Sequence, residues 1–220
     1  MDTPDLLLVG PQDAAWSLVL AHGASEGMAS PFMTAFAEGL AARGEKIGGL
    51  RVIRFEFPYM SATRREGKSR PPEREPVLLE TWRTVIATQQ AAGYARARLV
   101  IGGKSLGGRM ASLIADEQGI AGLVCLGYPF HPPGRPEPLR TAHLKNLRTP
   151  TLICQGTHDP FGTATEVPKY PLSAAIQLYW LEDGDHSFKP RRVSGRTEIQ
   201  NREAAMDAVI AFVARLPVSP

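Results

Sequence analysis

Short apolar or β-branched runs alternate with longer stretches of helical period along nearly the whole 220-residue chain. The runs at 16–21, 51–57, 98–102, 122–126, 151–155 and 176–181 read as strands, with a further N-terminal one near 6–9. Between them, 31–43, 76–92, 106–117 and 197–215 read as helices. The last carries Ala205, Val209, Phe212, Val213 and Leu216 at helical spacing, so one face should pack on a sheet. Ser30 before Pro31 is a helix start, since serine caps and proline fits the first turn. Strand, helix, strand in strict succession implies an α/β fold: a mostly parallel central sheet with helices on both faces. With 43% hydrophobic residues, the length suits one core, and 1–220 is expected to form a single domain.

Charge and composition exclude several function classes. The net charge of +3 comes from 25 basic against 22 acidic residues, a small surplus that does not call for nucleic acid. Basic residues gather at 64–70 and 189–192, but without interleaved aromatics, and solvated loops are the favoured reading. No apolar run approaches the roughly 20 residues needed to span a membrane. The start Met1-Asp2-Thr3-Pro4-Asp5 lacks the basic and apolar stretches of a secretory signal, so a cytoplasmic protein is expected. Cys125 and Cys154 each lie in an apolar run and are expected as buried, reduced thiols. Neither belongs to a Cys-x-x-Cys pattern, and no metal or other cofactor is expected.

One segment carries chemistry. Gly103-Lys104-Ser105-Leu106-Gly107-Gly108 fits Gly-x-Ser-x-Gly, with an apolar strand before it and a helical pattern immediately after. That context places a serine hydroxyl at a strained strand-to-helix turn, beside the N–H groups of a helix start. A second match, Gly23-Ala24-Ser25-Glu26-Gly27, also follows a strand, but its helix starts several residues later at Pro31. Ser105 is therefore the expected nucleophile. A serine hydroxyl needs a base, and the base needs an orienting acid. In the chain order Ser, acid, His, the strand 151–155 ends in a loop presenting Asp159, and the strand 176–181 ends in a loop presenting His186. Asp159 before Pro160 is alternatively a turn-shaping residue, with Asp183 or Asp185 as the acid. His158 reads as pocket lining or a turn residue, and His131 and His143 as surface residues.

Together, the loop Leu20-Ala21-His22-Gly23-Ala24, the Gly-Lys-Ser-Leu-Gly-Gly turn, and the loops Gly156-Thr157-His158-Asp159 and Gly184-Asp185-His186-Ser187-Phe188 resemble the α/β-hydrolase superfamily. The resemblance is to its small members related to dienelactone hydrolases. It implies an oxyanion hole from the backbone N–H groups of Ala24 and Leu106. His22 then either belongs to that element functionally or, as favoured, fixes its own loop. Ser105 stands where dienelactone hydrolases carry cysteine, so lactone specificity is not carried over. The short 128–150 segment occupies the place of the lid in larger lipases, and no large cap domain is expected. This segment and 58–75 follow strands and are candidate pocket walls, with Phe57, Tyr59, Tyr128, Phe130 and Phe161 as an aromatic rim.

The function expected is hydrolysis of small soluble carboxylic esters or thioesters through an acyl-enzyme on Ser105. Arg64, Arg65, Arg191 or Arg192 would attract an anionic ester. Alternatives are a serine peptidase or a non-catalytic binding or scaffold protein on the same fold. The expected partner is the small-molecule substrate, with a homodimer left open and neither nucleic acid nor membrane involved.

Overall fold

The structure is a computed structural model that describes residues 4–135 and 137–217. Seven strands form one sheet: β1 (Leu6–Val9), β2 (Trp16–Ala21), β3 (Leu50–Phe55), β4 (Leu99–Lys104), β5 (Gly122–Leu126), β6 (Thr151–Gly156) and β7 (Ile176–Leu181). Their spatial order is β1-β3-β2-β4-β5-β6-β7, with β1 antiparallel to β3 and every other pair parallel. All residues of β2, β4, β5 and β6 are buried, as the middle of a parallel sheet covered on both faces requires.

Alternate residues of each strand serve different faces. Leu18, Leu20, Val100, Val124 and Leu152 meet α1 (Pro31–Arg43) and α5 (Glu198–Val213), whose Phe36, Leu40, Val209 and Val213 complete that core. On the other face Val19, Ile53, Ile101 and Leu123 meet α3 (Glu75–Ala91) and α4 (Leu106–Gln118) through Trp82, Ile86, Met110 and Ile114. Cys125 belongs to the α3/α4 side and Cys154 to the α1/α5 side. The two thiols are free and buried, and although their strands are neighbours, the sheet separates them.

The expected helix start at Ser30 forms: its Oγ accepts from the Met33 N–H at 3.4 Å. At the start of α5, Thr197 closes a capping box with Gln200.

One expected irregular segment is partly helical. Within 58–75, α2 (Pro58–Glu66) starts with proline in its first turn and ends on Gly67 at φ 67°. Its dense charges obscured a short apolar face of Tyr59, Met60 and Ala62, all buried. The 128–150 segment lies down on the sheet: Tyr128, Phe130, Leu144 and Leu147 join the α3/α4 core. Among its described residues the helical content is one 3-10 turn, Leu144–Asn146, and no cap is built.

The chain passes from β2 outward to β3 and then returns to β4 beside β2, so strand order reverses between β2 and β4. The loops leaving the carboxyl ends of these two strands diverge there, which is where open α/β sheets form a crevice.

Candidate active site

Ser105 follows the last residue of β4 and precedes the first residue of α4, with φ 49° and ψ −112°. A non-glycine residue in such a conformation stores on the order of 1–3 kcal/mol of strain. Backbone bonds hold it: the Ser105 N–H donates to Leu126 O at 3.1 Å, and its carbonyl accepts from the Arg109 N–H at 2.9 Å. The glycine two residues on is sterically required, because a Cβ on Gly107 would lie 2.4 Å from Ala21 O.

The loop after β7 brings in His186. Asp185 shapes it by accepting from the N–H groups of Ser187 and Lys189 at 2.8 and 3.0 Å. His186 Nε2 lies 2.8 Å from Ser105 Oγ, and Nδ1 lies 2.7 Å from Asp159 Oδ2. The consistent assignment has the serine hydroxyl donating to Nε2 and Nδ1–H donating to the carboxylate. Asp159 is fully buried in the loop after β6 and accepts further bonds from Gln155 Nε2 at 2.8 Å and the Phe161 N–H at 2.9 Å. The Phe161 ring lies against the imidazole, centroids 4.2 Å apart and planes inclined at 31°. Burial pushes the His186 pKa below its ordinary value; the hydrogen bond to Asp159 opposes this, and the Lys104 ammonium adds to the lowering.

The rival acids are engaged elsewhere. Asp183 accepts from Arg191 N at 2.8 Å and Nε at 2.7 Å, with His158 Nδ1 at 3.3 Å, while Asp185 caps its own turn.

On the opposite side, the buried His22 fixes the loop after β2. Nδ1–H donates to Gly23 O at 2.6 Å and Nε2 accepts from the Phe57 N–H at 3.1 Å. Tyr59 O–H reaches Ala24 O at 3.0 Å. His22 thus has the loop-fixing role favoured from sequence. Leu106 opens α4, and among the described residues neither its N–H nor that of Ala24 has a hydrogen-bond acceptor.

A pocket of about 200 Å³ opens over the serine, bounded by Gly23–Glu26, the start of α1, Lys104, Phe161 and the His186 loop. Among the described residues neither 58–75 nor 128–150 contributes a wall to it, contrary to expectation. Of the expected aromatic rim only Phe161 is there; Phe57, Tyr59, Tyr128 and Phe130 are core residues. The basic residues are also not at its wall: Arg64 pairs with Glu56 and Asp5, each at 3.0 Å, and Arg191 pairs with Asp183. His131, expected at the surface, is buried, and the half-buried His143 lies 2.8 Å from Ser112 Oγ. That second Ser–His pair has no carboxylate on its other ring nitrogen among the described residues.

Sequence reasoning missed Gln155 and Lys104. The Gln155 side chain ties Asp159 to the Tyr128 main chain, accepting from Tyr128 N at 2.7 Å and donating to Tyr128 O at 3.2 Å. A glutamine directly after the apolar run Thr151-Leu152-Ile153-Cys154, still within the strand, was the available signal. Among the described residues no cluster of His, Cys, Asp and Glu gathers as a metal site.

Comparison with known proteins agrees with this architecture. The solved structure of an α/β serine hydrolase homologue from Coxiella burnetii superposes with a TM-score of 0.68 at 18% identity, covering 93% of this chain and 90% of that one. A lidless α/β serine hydrolase from Xanthomonas campestris gives 0.64 at 19% identity, covering 98% and 91%. A dienelactone hydrolase from Anabaena variabilis gives 0.63 at 18%, covering 96% and 89%. At such identities the likeness is one of fold. The family model for the alpha/beta hydrolase domain matches residues 14–214, and on that match the chain belongs to the α/β-hydrolase family.

Proposed function

We propose that the protein is a serine hydrolase of small, soluble carboxylic esters or thioesters, working through an acyl-enzyme on Ser105. The observation that carries this reading is the continuous hydrogen-bonded chain from Ser105 Oγ through both His186 nitrogens to the buried Asp159. His186 Nε2 takes the hydroxyl proton as Oγ bonds to the substrate carbonyl carbon, and the carbonyl electron pair moves onto oxygen. The N–H groups of Ala24 and Leu106 receive that charge. Each such donor is typically worth about 10²–10³ in turnover. Collapse of the tetrahedral intermediate breaks the bond to the alcohol or thiol, which leaves with the proton from His186. Water, deprotonated by His186, then attacks the acyl carbon, and as the second tetrahedral intermediate collapses the acid leaves and His186 returns the proton to Ser105 Oγ. Asp159 keeps Nδ1–H pointed away from the serine throughout, so Nε2 stays the acceptor.

The small pocket and the flattened 128–150 segment favour short acyl chains, because little apolar surface is available to wrap a long one. A p-nitrophenyl ester series from acetate to palmitate tests this: rates should fall with chain length and show no jump where the ester aggregates. Rates that climb toward palmitate would overturn the short-chain reading. Absence of fluorophosphonate labelling together with no turnover of any ester or thioester would overturn the hydrolase reading itself.

A further inference from the structure

Lys104, the residue before the serine, has a side chain that the reaction above does not use. It is the last residue of β4, only 9% exposed, and its ammonium donates to the backbone carbonyl of His186. Nζ also sits 5.2 Å from the ring centroid of Phe32 and 5.8 Å from that of Phe188. Among the described residues no carboxylate forms an ion pair with it; Asp159, Asp185 and Glu26 act only from a distance. Burial therefore drags its pKa down to about 8.

A buried, unpaired cation is destabilising, and a methionine would fill a similar volume without desolvating a charge. The cost falls beside reactive groups, the usual location for a feature that stability does not explain. Gly127, at φ +69° just past β5, makes the arrangement sterically possible. A Cβ there would lie 2.9 Å from Lys104 Nζ, 2.7 Å from His186 O and 3.3 Å from His186 Nδ1. The ammonium and the imidazole thus face each other across a glycine with no side chain between them.

We propose that Lys104 is a positioning residue for His186, its buried ammonium anchoring the His186 main chain and repelling a second positive charge on the imidazole. The anchor sets the distance from Nε2 to Ser105. The repulsion keeps the resting imidazole free to accept a proton at pH values where an ordinary histidine is partly charged. Other charged groups bear on the pair: Asp159 from the loop after β6, Asp185 beside His186, Glu26 from the loop after β2, and Arg202 of α5 across the Phe32 ring. The carboxylates favour the imidazolium, so the Lys104 charge opposes them. The inference rests on the hydrolase reading for its purpose, but the contact it concerns is measurable without any substrate.

The test compares wild type with Lys104→Met, and with Lys104→Gln in case the first variant does not fold. His186 is titrated by NMR of the imidazole nitrogens, its signals assigned through His186→Gln, and p-nitrophenyl acetate kinetics are followed across the same pH range. The expected result is a His186 midpoint at higher pH in the folded variant and an acidic limb of kcat/KM displaced the same way. kcat should fall by about tenfold to a hundredfold through loss of alignment, with KM little changed. An unmoved His186 midpoint in a folded variant overturns the proposal, whatever happens to kcat. Were wild type to hydrolyse no ester, the titration would still read the Lys104–His186 contact, so the two readings fail separately.

Discussion

Two segments of this chain carry the same five-residue pattern after a strand, and the fold treats them differently. Gly103–Gly107 turns directly from β4 into α4, so Ser105 is held at positive φ with its hydroxyl 2.8 Å from His186. Gly23–Gly27 leaves β2 as an open loop, and α1 does not begin until Pro31, so Ser25 is an exposed residue on the rim of the same pocket. The difference lies in how soon a helix begins after the serine. An immediate helix forces the strained turn and aims the hydroxyl, whereas a delayed one lets the backbone relax and turns the loop over to presenting Ala24. One pattern supplies the proposed nucleophile and the other one wall of the pocket, and the strands that carry them, β4 and β2, are neighbours.

The sharpest way to break this comparison is to remove each hydroxyl in turn. Ser105→Ala should lower kcat for a short ester by on the order of 10⁶-fold and abolish fluorophosphonate labelling. Ser25→Ala should leave labelling intact and kcat within about threefold. Comparable losses in both variants, each shown to be folded, would mean that the rim serine shares the chemistry.

Next in size is the acid. Asp159→Asn should cut kcat by about 10⁴-fold, because an amide at that place stabilises the wrong imidazole tautomer. The fold should be kept, since the amide oxygen still accepts from the Phe161 N–H in place of Oδ1, while the bond that Gln155 Nε2 donates to Oδ2 is lost. The check is a single-turnover assay alongside thermal melting, and a fully active variant would return Asp159 to the status of a turn residue.

The sheet was legible from sequence because each strand is a compact apolar run bounded by glycine or charge, and the observed strand limits differ from the reading by a residue or two. Ser105, Asp159 and His186 were legible for a related reason: each sits just past the end of such a run, where the fold gathers loops. What escaped were features of tertiary contact. Helix α2 hides its apolar face of Tyr59, Met60 and Ala62 beside Arg64, whose partners, Glu56 and Asp5, lie outside the helix. The 128–150 segment is too proline-rich for periodicity to show that Tyr128 and Phe130 turn inward, so it read as a pocket wall. Lys104 escaped because its position in the motif admits any residue, and only the structure shows its ammonium under the His186 loop.

A smaller effect concerns pH. Since burial depresses the His186 pKa, the imidazole remains a free base below the ordinary histidine value of 6.5. The acidic limb of kcat/KM should therefore fall below pH 6.5, and turnover at pH 6.5 should stay above half its plateau. A limb centred above 6.5 would mean that Asp159 outweighs burial and Lys104 combined.

The smallest effect separates the residues that precede the two serines. Ala24 lines the pocket as an exposed residue with no titratable group, whereas Lys104 buries a charge whose pKa falls from 10.5 to about 8. Between those two pH values the unfolded chain holds a proton at this position that the folded chain has released, so folding gains stability as pH rises. Wild type should therefore gain on Lys104→Met from pH 8 toward pH 10.5 by up to about 3 kcal/mol, a linkage that disappears below pH 8, where both states are protonated. Urea unfolding of both proteins at pH 7, 8, 9 and 10 reads the difference directly, and taking the difference cancels the tyrosines and other lysines they share. A constant gap across that range would mean that Nζ is hydrated in solution, and that the burial distinguishing Lys104 from its counterpart Ala24 is not maintained.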